Sequence, residues 1–115
     1  MSELSNKLFE VSENVRHVVV TDKEGSIIHI ASKAKKEWPR ENIKQIMYFA
    51  AQIFSEALEA VKDVSGQVES VLFTFSNMKL IVVRDRAGRY LAISMRRRAT
   101  HEEVDKVINV ASSFT

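Results

Sequence analysis

The chain has 115 residues, of which 45% are hydrophobic and 28% are charged, and its formal net charge is +2. This length suits a single domain, and the composition is that of a folded globular protein and not of a disordered chain. The absence of cysteine excludes disulfides, thiolate metal sites and thiol nucleophiles. We therefore predict one domain over residues 1–115.

The N-terminal residues lack the cationic start and apolar run of a secretory signal. The uninterrupted apolar stretches are far shorter than the roughly 20 residues needed to cross a bilayer. We expect a cytoplasmic protein with no transmembrane segment.

The first third of the chain predicts a short helix followed by a hairpin. Leu4, Leu8 and Val11 have helical spacing within residues 3–13. Residues 15–21 are rich in valine and too short for a helix, so they predict a strand. Residues 22–25, which begin with Asp and end with Gly, predict a tight turn into a second strand over residues 26–31.

A long amphipathic helix is predicted after Pro39, which is tolerated in the first turn of a helix. Its apolar residues recur at three- and four-residue steps and form one stripe: Ile43, Ile46, Met47, Ala50, Phe54, Ala57, Leu58 and Val61. Phe49, Ile53 and Ala60 lie beside this stripe and widen the apolar arc to about 200°, whereas one packing face needs about 100°. The surplus predicts a second contact surface on this helix.

The second half predicts three strands, over residues 68–75, 78–84 and 90–95, and a closing helix. Residues 85–88 repeat the Asp-x-x-Gly turn, and Thr100 with Glu103 forms a capping box. The inner face of the closing helix is predicted to carry Val104, Val107, Ile108, Ala111 and Phe114. Short hairpin turns imply antiparallel neighbours, and strands that are apolar on both faces imply a sheet covered on both sides.

We therefore predict an α/β (α+β) protein with the order α-β-β-α-β-β-β-α. Its five-stranded antiparallel sheet is expected to carry the long helix on one face and the two shorter helices on the other.

This order resembles that of the roadblock/dynein light chain family, a relative of the longin and profilin-like folds. The resemblance extends over nearly the whole chain. It is carried by the hairpin VVVTDKEGSII (18–28), the long helix, the meander VLFTFSNMKLIVV (71–83) and the strand YLAI (90–93).

The resemblance implies a non-enzymatic scaffold or regulator that forms a homodimer, or a heterodimer with a roadblock paralogue. The long helices would pair and the sheets would join edge to edge. The implied partner is a small Ras-like GTPase or a larger protein complex.

Independently of the resemblance, the broad apolar arc of the long helix predicts a protein interface, because large exposed apolar surfaces on small proteins usually mark one. We predict that self-association uses Tyr48, Phe49, Gln52, Ile53 and Glu56. The alternative is a monomer in which these residues pack under the loop over residues 32–38.

The sequence indicates no catalytic, cofactor-binding or metal-binding residues. His17, His29 and His101 are far apart and have no acidic residue at ligand spacing. No phosphate-binding loop or nucleophile motif is present. A profilin-like or PAS-like small-molecule sensor stays open as an alternative, although the predicted sheet interior is rich in Val, Ile, Leu and Phe.

Arg96, Arg97 and Arg98 form a basic cluster, with Arg84, Arg86 and Arg89 nearby in the sequence. The cluster is consistent with a solvated surface, an acidic protein partner, nucleic acid or lipid headgroups. A nucleic-acid-binding function through this patch is a third hypothesis. It is disfavoured because no exposed aromatic residues alternate with the arginines, as stacking on single strands requires.

Overall fold

The structure, a computed structural model, describes residues 2–36 and 38–113, without the side chains of residues 57–60. Its elements are α1 (Ser2–Val11), β1 (Val15–Thr21), β2 (Ile27–Ser32), α2 (Arg40–Ser65), β3 (Ser70–Thr74), β4 (Met78–Arg84), β5 (Tyr90–Arg96) and α3 (His101–Ser113). The predicted element order is confirmed. Phe114, predicted for the closing helix, lies outside the described residues.

The five strands form one antiparallel sheet in the order β2-β1-β5-β4-β3. The central pair is β1 and β5, in which Val19 lies opposite Ala92. Because α2 connects β2 to β3, it carries the chain from one edge of the sheet to the other. Two strands, β2 and β3, are therefore edges.

Strand alternation divides the interior into two clusters. Val18, Val20, Ile81 and Ile93 belong to the cluster that includes α1 and α3 residues. The neighbouring positions Val19, Leu80, Val82 and Ala92 belong to the cluster that includes α2 residues. The predicted three layers are confirmed: α2 covers one face of the sheet, and α1 and α3 cover the other.

Both Asp-x-x-Gly turns are built as predicted. The carboxylate of Asp22 accepts hydrogen bonds from the backbone N–H groups of Glu24 at 3.0 Å and Ser26 at 2.9 Å, while Gly25 has a φ of 88°. The carboxylate of Asp85 does the same in the β4–β5 turn and also pairs with Arg89 at 2.7 Å. Each turn is thus held by its own aspartate side chain.

The third strand is shorter than the predicted residues 68–75. Val68 packs against the α2 cluster but precedes the strand. At the other end, the N–H of Phe75 donates to the carbonyl of Met78 at 2.8 Å, which closes the turn into β4. The hydrophobic pattern of residues 68–75 therefore extends beyond the residues that form the β3 hydrogen-bond ladder, which is why the predicted strand was too long.

Glu103 joins the start of α3 to the segment between α1 and β1. Its Oε1 accepts from the backbone N–H of Thr100 at 3.3 Å, and the Thr100 hydroxyl accepts from the N–H of Glu103 at 3.2 Å, which confirms the capping box. Its Oε2 accepts from the Ser12 hydroxyl and from Asn14 Nδ2, the latter at 2.8 Å. These donors, Ser12 first and Asn14 second, lower the pKa of Glu103 to about 2.

We expect Glu103→Gln to lower the urea midpoint at pH 7 and to flatten its dependence on pH. A carboxyl with a lowered folded pKa stabilises the native state above its unfolded pKa of about 4.5, and this contribution is lost as pH falls toward the folded value of about 2. Urea unfolding at pH 7, 5 and 3 measures the effect. Glu102→Gln is the matched control, and an equal slope in the two variants would contradict this role for Glu103.

Candidate protein interface

The long helix α2 has one fully buried stripe. Ile43, Met47, Ala50 and Phe54 each have 2% or less of their surface exposed. Phe54 also contacts Tyr90 of β5, with ring centroids 5.6 Å apart. This stripe attaches the helix to the sheet.

The predicted interface residues lie outside this stripe and are exposed. Tyr48 is 63% exposed, Phe49 60% and Ile53 38%, and Gln52 and Glu56 are exposed as well. Packing under the loop over residues 32–38, the alternative considered above, does not occur at these positions. Trp38 of that loop contacts the ring of His17 instead, at 5.5 Å.

The five predicted residues fall on two adjacent ridges of the helix. Phe49 and Ile53 share one ridge, and Tyr48, Gln52 and Glu56 share the next, because residues four apart lie above one another. Gln52 Nε2 donates to the Tyr48 hydroxyl at 3.1 Å within the second ridge. The first ridge is apolar, whereas the second is mainly polar.

Tyr48 and Ile53 lie on opposite flanks of α2. Tyr48 and Ala51 line a cleft with residues of the β1–β2 turn, among them Lys23 and Gly25. At about 100° per residue, Ile53 lies on the far side of the buried stripe from Ala51. The ridge of Phe49 and Ile53 therefore lies on the flank away from that turn, toward β4 and the β3 edge.

The β3 edge adds further apolar surface to this side of the molecule. Phe75, on the same face of the sheet as α2, is 42% exposed. Leu72 is 38% exposed but lies opposite Ile81, so it belongs to the face covered by α1 and α3. Phe75 stacks on Phe73, with ring centroids 6.1 Å apart. None of the five residues of β3 is charged, and uncharged edge strands are open to pairing with another strand.

The C-terminal part of α2 extends past the core. Val61 was predicted in the core stripe but is 41% exposed, and Val64 is 92% exposed. The prediction for Val61 is wrong because helical periodicity does not reveal where the sheet beneath the helix ends. Ala57, Leu58 and Ala60 have side chains outside the described set.

The arginines grouped by sequence are separated by the fold. Arg84, Arg86 and Arg89 lie at or near the β4–β5 turn, whereas residues 96–98 lie at the far end of β5. Seven residues of strand separate the two groups by about 20 Å. The cluster of Arg96, Arg97 and Arg98 therefore does not include the three arginines nearby in the sequence, because the two ends of a strand lie on opposite sides of the domain.

The histidines do not form a site. His17 and His29 belong to opposite faces of the sheet: His17 contacts Trp38 on the α2 side, and His29 Nε2 lies 3.0 Å from Ser5 Oγ of α1. His17 Nδ1 lies 2.7 Å from Ser94 Oγ. Within the described residues, no group of three metal-ligating side chains occurs, and no helix is long and apolar enough to span a membrane.

The described residues form at least two clefts at the surface. One, of about 550 Å³, is lined by Lys23, Arg84, Arg86 and Glu69 among others. The other, of about 300 Å³, is the cleft beside Tyr48. The cleft beside Tyr48 is lined in part by Met47 and Tyr90 of the α2-side cluster, but the interior of both clusters is occupied by apolar side chains. The interior thus gives no support to a sensor that encloses its ligand in the core.

Known structures share this architecture. The gliding protein MglB from Thermus thermophilus aligns over 97% of this chain and 82% of that chain, with a TM-score of 0.77 and 13% identity. A second MglB structure, with a tetrameric arrangement, has the same TM-score and coverage at 14% identity. A roadblock/LC7 domain from Streptomyces avermitilis aligns over 95% of this chain and 92% of that chain, with a TM-score of 0.67 and 16% identity.

The chain therefore has a roadblock/longin-like fold, as its sequence pattern indicated. The similarity is one of structure alone. No protein-family model matches the sequence, and no curated protein matches it either.

Truncating a side chain should lower the unfolding free energy much more on the buried face of α2 than on its exposed face. Phe54→Ala should cost about 3–5 kcal/mol of unfolding free energy because it leaves a cavity in the core. Phe49→Ala should change the value by no more than about 0.5 kcal/mol in the isolated chain, because its ring is exposed. Urea unfolding measures both free energy changes. The protein concentration must be low enough that the unfolding midpoint no longer depends on concentration. Equal losses would contradict the description of Phe49 as a surface residue.

Proposed function

We propose that the protein is a dimeric scaffold that joins a second copy of itself through α2 and the β3 edge. The observation that carries the proposal is the apolar ridge of Phe49 and Ile53 on the flank of α2 that lies toward an uncharged edge strand. Burying a side chain of this size yields about 1.5–3 kcal/mol. A partner surface that covers the 60% of Phe49 and the 38% of Ile53 that are still exposed would gain part of this free energy and offset some of the cost of association.

An edge-to-edge dimer suits this surface because a two-fold axis presents the same patch on both chains. The helices would pair along Phe49 and Ile53, and two copies of β3 would join the two sheets into one. Gln52 and Glu56, on the neighbouring ridge, would form a polar rim around the apolar contact, as is usual at interfaces. Tyr48, which lines the cleft by the β1–β2 turn, would lie at the outer limit of that rim.

The partner that we propose for the dimer is a small Ras-like GTPase. This proposal rests on the resemblance to the roadblock family and on the shared fold, and it assigns the dimer a regulatory or positioning role. The chain itself would supply no nucleotide-binding loop, since its sequence contains none. A heterodimer with a roadblock paralogue would use the same surface.

We expect the purified protein to have a mass twice the chain mass of 13.1 kDa, and Ile53→Asp to have the mass of a single chain. An aspartate placed on the apolar ridge would have to be desolvated in the dimer, which favours dissociation. Light scattering coupled to size exclusion measures both masses.

Ser55→Asp is the matched control, because it adds the same charge to an exposed position of the same helix on a different side. It should remain dimeric. A wild-type monomer, or a dimer that persists in Ile53→Asp, would contradict the proposed interface.

A Ras-like GTPase encoded in the same genome should bind the wild-type dimer and should bind Ile53→Asp more weakly. Dimer formation would create a surface that spans both chains, so losing the dimer removes half of it. Titration calorimetry with the GTPase loaded with GDP or with a non-hydrolysable GTP analogue measures the affinity. Equal affinity for both variants would contradict a dimeric platform, and no binding by any such GTPase would contradict the proposed partner.

A further inference from the structure

The start of β1 brings together two basic segments that lie far apart in the sequence. On one side, Arg16 of β1 is joined to Lys33, which follows β2. The Lys33 N–H donates to the Arg16 carbonyl at 2.9 Å, and Arg16 Nη2 donates to the Lys33 carbonyl at 2.6 Å. His17 Nε2 lies 3.3 Å from the carbonyl of Lys36. The segment with Lys33, Lys35 and Lys36 is thereby attached to β1.

On the other side, Asn14 attaches the arginine segment. The N–H of Arg96 donates to the Asn14 carbonyl at 2.9 Å, and Arg98 Nε donates to Asn14 Oδ1 at 3.1 Å. Asn14 and Arg16 are two residues apart, so both basic segments flank the same end of the sheet. We name this surface the basic end: Arg16, Lys33, Lys35, Lys36, Arg96, Arg97 and Arg98.

The basic end is far more positive than the molecule as a whole. Three acidic residues partly offset its seven cations. Glu13 and Glu37 adjoin these segments in the sequence, and Glu103 accepts a hydrogen bond from Asn14. The chain carries a net charge of only +2, so the rest of it is negative. Within the described residues, the ion pairs are Arg89–Asp85 and Lys106–Glu102, and neither includes a cation of the basic end. The electrostatic potential is therefore more positive at the basic end than over the rest of the molecule.

The side chains found within the two basic segments indicate which class of partner suits the basic end. Protein interfaces usually have an apolar or aromatic centre, but the large apolar side chains found exposed are Ile28, Tyr48, Phe49, Ile53, Val61, Val64, Leu72 and Phe75. None of them belongs to the two basic segments. Phe75 lies at the same end of the sheet, but on β3, two strands away from Arg96 of β5. Trp38, the nearest aromatic residue in the sequence, is partly buried and contacts His17, so it offers no open face for a stacked base.

We propose that the basic end docks the protein on an anionic phospholipid surface. Exposed lysines and arginines gathered on one face interact with acidic headgroups without a groove or an apolar anchor. Lys35, Lys36 and Arg97 are exposed and are the side chains best placed for these contacts. Lys33 has its Nζ 4.9 Å from the ring centroid of Phe9 and contributes mainly to the field. The proposal does not depend on dimer formation.

Co-sedimentation of the full chain with vesicles tests the proposal. Vesicles containing phosphatidylserine in phosphatidylcholine should bind the protein at about 0.1 M salt, and pure phosphatidylcholine vesicles should not. Reversing the charge at three exposed positions, in K35E/K36E/R97E, should lower the partition coefficient at least about tenfold. The matched control K23E/R84E/R86E makes the same change in net charge at the opposite end of the sheet and should retain most of the binding. Circular dichroism melts of both variants establish that each is folded.

Three results would overturn the proposal. The first is that the wild type does not bind anionic vesicles. The second is an equal loss in the two folded triple variants, which would show that net charge and not the basic end governs binding. The third is tighter retention of single-stranded RNA, or of an acidic polypeptide, than of anionic vesicles at equal salt, which would assign the surface to another class of partner.

Discussion

A β-sheet whose strands are apolar on both faces must be covered on both faces, and this constraint organises the molecule. Val18 and Val20 require α1 and α3 on one side, whereas Val19 and Val82 require α2 on the other. One helix stripe covers the second face only in part, because an α-helix is narrower than a five-stranded sheet. On the β3 side of that face, Phe73 and Phe75 lie near a free edge, and Phe75 remains 42% exposed. The proposed dimer completes the cover that the single chain begins.

The two surfaces of the protein thus differ in physical character. The flank formed by Phe49, Ile53 and β3 is apolar and offers unpaired backbone groups, which suits a second folded chain. The basic end is charged, lacks large exposed apolar groups among its own residues, and is held by hydrogen bonds to Asn14 and Arg16. The first would determine the assembly and the second would determine where the assembly resides. Neither surface uses a residue of the other, so their effects can be separated by mutation.

Local patterns in the sequence predicted the element order, both aspartate turns and the capping box at Thr100, because each depends on neighbouring residues. The exposure of Phe49 and Ile53 followed from the width of the apolar arc on α2. The exposure of Val61 could not be predicted from the sequence, because it depends on where the sheet ends beneath the helix. The same limit applies to the basic end, because the lysines of residues 33–36 and the arginines of residues 96–98 are brought together by the pairing of β1 with its two neighbours. Glu103 was recognised as a cap, but its bonds to Ser12 and Asn14 required the tertiary structure.

Hydrogen–deuterium exchange of the two edge strands at increasing protein concentration tests the central claim most directly. Both strands are edges of the same sheet, so β2 serves as an internal reference for β3. If two copies join through β3, exchange of the amides in Ser70–Thr74 should slow as the concentration rises through the dissociation constant, while exchange in Ile27–Ser32 should stay constant. Exchange in β3 that is independent of concentration, or slowing confined to β2, would contradict the account.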